Sequence, residues 1–281
     1  MPSVFKKLSL VIAVVSVLTA CVSTGPETPE DLSRYLPQGK GAYGWWDLRS
    51  DPEGRDAVLP YVGLSEKWMN KLKTAVFACN LTEDIPEITA VVSGEWSSGL
   101  LKMYLSFSSQ WRKTDCGYYS KEQNMWIAPV NSMLVLANYP LCDFIKTGSN
   151  PAVPDTDISS NRFDSLVENE FFKVAINQKG LPDRIKSLKI SDLDLSLSHT
   201  SKGTVSGSMK VTYESEDIRR LVAPLTKVAL IGSIMDTKMD LPVTEYEGSS
   251  MYLKNFGVPY KKLLETYIPL VMNYRNMIDV E

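Results

Sequence analysis

The sequence predicts an α+β protein in which antiparallel hairpins carry helices on one face. Two observations point there. Short runs of alternating apolar and polar residues come in pairs separated by turn residues. Stretches with helical spacing of apolar residues stand between those pairs. A third observation concerns organisation: the order of events in the first half of the chain recurs in the second. Two related units are therefore expected, over 41–146 and 162–281. The residue identities do not match well enough to prove a duplication.

The first 20 residues are a targeting segment and not part of the fold. Lys6 and Lys7 form a short basic region, and Leu8 to Leu18 is apolar except for Ser9 and Ser16. That length suits a signal peptide and is short for a bilayer span. Leu18-Thr19-Ala20-Cys21 follows. This resembles the lipobox of bacterial lipoproteins. The resemblance implies cleavage before Cys21 and acylation of that cysteine, with palmitate among the chains. Two or three acyl chains hold a protein durably where one does not. Val22 stands where an Asp marks retention in the inner membrane of enteric bacteria. The resemblance therefore implies the periplasmic side of the outer membrane more than the inner membrane.

Residues 21–40 read as the lipidated end and a flexible tether, rich in Thr, Pro and Glu and closed by Gly39 and Gly41. The first unit opens on an aromatic strand, Tyr43 to Leu48. A helix is expected from Ser65, with Trp68, Met69, Leu72, Ala75 and Val76 on one face. A hairpin follows: Ile88, Ala90, Val92 and Trp96 alternate, Ser97-Ser98-Gly99 turns, and Leu101, Met103, Leu105 and Phe107 return. Met125 to Val130 and Met133 to Asn138 form a second hairpin about Asn131-Ser132. Pro140 opens a short helix.

The segment 147–161, with Gly148, Pro151 and Pro154, is the linker. Beyond it a helix is expected from Asn161 through Val174. A hairpin then pairs Leu193, Leu195 and Leu197 with Val205, Met209, Val211 and Tyr213. A long helix spans Glu216 to Met235, and a third hairpin turns at Gly248. A last helix starts at Pro259, a favoured first helical position.

Composition narrows the function. With 30 basic and 33 acidic residues the chain has a formal charge of −3, and losing Lys6 and Lys7 makes it more acidic. That is not a nucleic-acid binder. The lone imidazole, His199, falls in an expected turn, Ser198 to Gly203, and no G-x-S-x-G elbow exists for a serine nucleophile. No metal set and no phosphate-binding glycine loop appears. Asp192 and Asp194 share a strand face and read as its wet side. No catalytic residue is assigned, and no cofactor beyond the covalent lipid on Cys21. Of the other cysteines, either one pair forms, with Cys116 and Cys142 favoured over Cys79, or all three are small buried residues.

All six tryptophans lie in the first unit, and Trp68 and Trp96 read as core. Trp45 and Trp46, adjacent on a strand, point to opposite faces. The last two helices are more suggestive. Each carries a broad apolar stripe, an internal proline (Pro224, Pro269) and a basic pair near its start: Arg219-Arg220 and Lys261-Lys262. Positive charge there opposes the helix dipole but suits lipid phosphates. The membrane-contact candidates are Arg219, Arg220, Leu221, Leu225, Lys261, Lys262, Leu264 and Ile268. A lipid-anchored α+β chain with kinked amphipathic helices is similar to certain treponemal outer-membrane lipoproteins, whose helices are thought to insert into the inner leaflet. Architecture alone carries that comparison. It implies a membrane-interacting, non-enzymatic role and transfers no residue. The expected partners are membrane lipids. The alternatives are a carrier enclosing a hydrophobic ligand, and an assembly or adhesion factor binding another envelope protein.

Overall fold

A computed structural model describes residues 28, 32–33, 35–37, 39–80, 87–130, 133–142, 170–181, 183–200, 204–234 and 242–265. Its frame is one twelve-stranded sheet whose neighbouring strands all run antiparallel. The strands of the first half are β1 (Ala42–Asp47), β2 (Leu72–Asn80), β3 (Glu87–Gly94), β4 (Arg112–Thr114), β5 (Gly117–Ser120), β6 (Met125–Val130) and β7 (Met133–Ala137). Those of the second are β8 (Glu170–Asn177), β9 (Ile190–His199), β10 (Val205–Tyr213), β11 (Val243–Glu247) and β12 (Ser250–Val258). The helices are α1 (Pro52–Val62), α2 (Glu66–Met69), α3 (Ser98–Phe107), α4 (Asp183–Lys186) and α5 (Glu216–Ile234). A further helical stretch covers 260–265.

The strand order is β11-β12-β10-β9-β8-β1-β2-β3-β7-β6-β5-β4. The two halves share this sheet, because β1 pairs with β8, Trp46 opposite Phe172. Outward from that seam the halves read alike. One runs β1-β2-β3-β7-β6 and the other β8-β9-β10-β12-β11. In each, the third strand leads into a helix that crosses to a hairpin, and the hairpin's second strand returns beside the third. The crossover helices are α3 and α5. The first half adds the β4–β5 hairpin at its edge.

Registers fix which residues share a face, since directly paired residues point the same way. Ala75, Val92 and Leu134 line one face in the first half and pack with Leu101 and Leu105 of α3. Met209, Val211, Met251 and Leu253 continue that face in the second half and pack with Ala223 of α5. Trp46 contributes to both clusters, as α1 does through Val58, Leu59 and Ala57. On the opposite face of the first half, Tyr43, Trp45, Val76, Val91 and Val135 form a third cluster with Leu32 and Leu36. On that face of the second half, Asp194 pairs with Lys210 and Ser196 with Ser208.

The hairpins at 125–137, 190–213 and 243–258 and the helix from Glu216 match the sequence reading. The tether expected over 21–40 differs from it, since Leu32 and Leu36 are fully buried in the third cluster. Three other elements differ as well. The helix expected from Ser65 stops after one turn, with Asn70 as its C-cap, and Leu72 to Val76 belong to β2. That strand is buried on both faces, so Ala75 and Val76 enter different cores and no alternation marks it. The expected strand over Leu101 to Phe107 is the helix α3. The expected helix reaching Val174 gives way to β8 from Glu170, where a strand is needed to pair with β1. Helical spacing was present there, but tertiary pairing overrode it. The turns 131–132 and 201–203, the linker 147–161, Pro269 and the signal segment lie outside the described residues.

Candidate functional site

The crossover helices expose apolar side chains. Helix α5 turns Ala223 inward and leaves Leu221, Leu225 and Val228 exposed at 78%, 70% and 71%. Their spacing of i, i+4 and i+7 makes one continuous ridge. Helix α3 turns Leu101 and Leu105 inward and leaves Leu100, Met103 and Phe107 exposed at 36%, 52% and 85%. Their spacing of i, i+3 and i+7 makes a second ridge. Scattered single exposed residues are ordinary, but two such runs on topologically matching helices are not scattered.

The flanks of the ridges differ. Beside α3, Trp68 and Tyr104 lie half-buried with ring centroids 5.5 Å apart, and the Lys71 ammonium lies 5.2 Å from the Trp68 ring. Tyr104 also takes the Ser65 N–H on its hydroxyl, which ties α2 to α3. Such rings have an apolar body and a polar tip. Beside α5, Glu216 accepts from both Arg219, at 3.3 Å, and Arg220, at 2.8 Å. The Arg219 side chain is only 11% exposed and lies over the Tyr246 ring at 5.1 Å. Pro224 sits inside α5 and supplies no N–H to the Arg220 carbonyl. Thr226, two residues on, donates back to the Val222 carbonyl.

These placements divide the sequence candidates. Leu221, Leu225 and Arg220 are on the surface. Arg219 is not a free cation: its charge is spent within the fold. Leu264 is buried in the second-half core and so is not a surface residue; helical spacing could not say which face of that helix docks. Lys261 and Lys262 are exposed. Ile268 and Cys21 lie outside the described residues. Cys116 and Cys142 are bonded, with Cα atoms 4.0 Å apart. Cys79 is a free thiol, and burial pushes its pKa up to about 11 against an opposing pull from Lys40.

His199 also departs from expectation. It ends β9 rather than standing in a turn, stacks on Phe171 at 4.2 Å, and sets Nε2 2.7 Å from the Ser50 carbonyl. Next to Ser50, Asp51 is buried. Its carboxylate accepts from Trp46 Nε1 at 2.7 Å, from the Gly54 N–H at 3.0 Å and from the Tyr260 hydroxyl. The Gly54 bond caps α1. Burial foremost, then the hydrogen bond to Asp51 and its charge, holds the Tyr260 phenol well above its ordinary pKa. These contacts fasten the β1–α1 junction to the second half. Buried and held by these three donors, Asp51 clasps the elements together. Among the described residues no three His, Cys, Asp or Glu side chains converge as a metal site, and no helix is long and apolar enough to cross a membrane.

No protein-family model matches the chain, and no curated protein matches it. Solved structures do. The fold is that of TP0453, a treponemal protein. Crystal form I of TP0453 superposes with a TM-score of 0.59 at 12% identity, over 85% of this chain and 96% of that one. Crystal form III gives 0.54 at 11%, over 84% and 96%. Crystal form IV gives 0.54 at 11%, over 83% and 94%. Coverage this wide takes in both halves of the sheet. At such identity the likeness to TP0453 concerns the fold and transfers no residue role.

Proposed function

We propose that this chain is a non-enzymatic envelope lipoprotein, cut before Cys21 and acylated there, that rests on a membrane through the outer ridges of α3 and α5. The periplasmic side of the outer membrane is the proposed location. One observation carries the reading: the matching crossover helices both leave three apolar side chains in water, Leu100, Met103 and Phe107 on one and Leu221, Leu225 and Val228 on the other. An amphipathic helix with a shallow apolar ridge suits the headgroup–acyl boundary. The half-buried Trp68 and Tyr104 beside α3 are suited to the same depth. The shared fold with a treponemal protein is compatible with this reading.

The cationic part of the contact is smaller than the sequence suggests. Arg219 is tucked against Tyr246 and both arginines share Glu216, which leaves Lys261 and Lys262 with Lys102 of α3 as the cations to meet phosphates. Binding should therefore be mainly apolar and only modestly weakened by salt. The test is flotation of the unlipidated chain, residues 22–281, with vesicles across a salt series. Absence of flotation on anionic vesicles at low salt would refute the membrane reading.

A further inference from the structure

Among the described residues the sheet ends on β11 at one side and on β4 at the other, with no further strand paired to either. Unpaired edges invite strand addition, and natural sheets guard them with charge. Here the guards have opposite signs. On β4, Arg112 and Lys113 are exposed and have no ion-pair partner among the described residues. On β11, Glu245 and Glu247 are exposed; Glu245 bonds Lys254 at 2.5 Å, and Glu247 has no such partner there. We infer that β4 of one copy of this chain pairs with β11 of the next, so that copies join head to tail through a continuous sheet.

Geometry supports that pairing. Twelve strands alternating in direction leave β4 and β11 running opposite ways. A copy that continues the sheet, translated along it and rotated by its accumulated twist, therefore meets its neighbour antiparallel, with the helices of both on the same side. The faces agree as well. Lys113 pairs with Tyr118, which pairs with Ile127, so Lys113 is on the helix side and Arg112 is on the other. Tyr246 pairs with Met251 on the helix side, so Glu245 and Glu247 are on the other. Arg112 of one copy thus shares a face with the glutamates of the next, where opposite charges across strands attract. Pairing of like edges is disfavoured, because it sets arginine and lysine against themselves, or glutamate against glutamate. A contact between two different patches pairs head to tail, so copies add into open rows or rings and not into two-fold dimers. With only three residues in β4, each joint is weak, reversible and dependent on concentration. The inference does not rest on the membrane reading.

Two measurements on the full chain test it. The first uses Arg112→Lys, which keeps the charge and supplies an amine for carbodiimide coupling to carboxylates. Isotope-labelled and unlabelled chains are mixed at the highest soluble concentration. Cross-links should join position 112 to Glu245 or Glu247 of a differently labelled copy. Lys113, on the other face, should not join them. The second uses sedimentation of two edge variants, each checked by thermal melting to be folded. Arg112→Glu with Lys113→Glu makes both edges acidic; Glu245→Gln with Glu247→Lys makes the β11 edge basic. Each alone should stay monomeric, and their mixture should associate. A monomeric mixture overturns the inference, as do cross-links joining like edges or no cross-links between copies at all.

Discussion

The outer ridges predict a separation of stability from membrane affinity. Phe107 is 85% exposed and Leu225 is 70% exposed, so neither does much for folding. Full burial of such a side chain is worth about 1.5–3 kcal/mol. Scaled by the surface still in water, Phe107 has about 1.3–2.6 kcal/mol to gain at a membrane, and Leu225 about 1–2 kcal/mol. Immersion at an interface is partial, so the lower half of each range applies. Phe107→Ser with Leu225→Ser should then lower vesicle affinity by about 3 kcal/mol, or roughly a hundredfold, with each single change giving about tenfold. The thermal midpoint should barely move, because exposed substitutions stay within about 0.5 kcal/mol. Leu105→Ala is the contrast: Leu105 is 0% exposed, and the change should cost about 2–5 kcal/mol of stability. Partition between buffer and vesicles, with a urea melt of each variant, measures both quantities. If the double variant partitions like the parent, the ridges do not meet lipid and the reasoning fails.

Other outcomes follow from the clasp, the disulfide and the anchor. Tyr260 has its pKa raised above the ordinary 10.0 in the folded state, so its contribution to stability is fully present below pH 10 and is lost as pH rises beyond it. Tyr260→Phe should flatten part of that alkaline loss in a pH series of urea melts, and at neutral pH should cost about 1–3 kcal/mol by leaving Asp51 one donor short. His199→Ala should cost about 1–2 kcal/mol, since it removes both the Phe171 stack and the bond to Ser50; a melt unchanged from the parent would contradict the contacts. Replacing Cys116 and Cys142 with Ser opens a loop of sequence separation 26 and should cost about 3–4 kcal/mol, read by urea midpoint. Cys21→Ala should abolish palmitate labelling and move the chain out of the membrane fraction; a labelled, sedimenting variant would end the lipoprotein reading.

Some of this was legible in the residues. Strands with one dry and one wet face, such as β10, print their period directly: Val205, Gly207, Met209, Val211 and Tyr213 are buried while the residues between them are not. Helix α5 could likewise be read from its spacing, with its exposed Leu221 and Leu225 among the candidates. Strand β2 could not, because it is dry on both faces and its apolar run has no period. Helix α3 was hidden by the very residues that make it interesting. Met103 and Phe107 face water, and counted with Leu101 and Leu105 they counterfeit the alternation of a strand.

By itself the sequence determined the fold class, the hairpins that alternate cleanly, and the order of segments from Lys6 to Cys21 on which the anchor is argued. These are local patterns, set by residues a few positions apart. Only the tertiary structure decided which apolar residues stay dry. Leu264 and Leu225 look alike in a helical stripe, yet Leu264 enters a core built from β10 and β12, and Leu225 stays 70% exposed. It also decided that β1 and β8 join the halves, that Asp51 and His199 fasten that seam, and that a basic and an acidic edge end the same sheet. Each depends on contacts between residues far apart in the chain, and no local period encodes them.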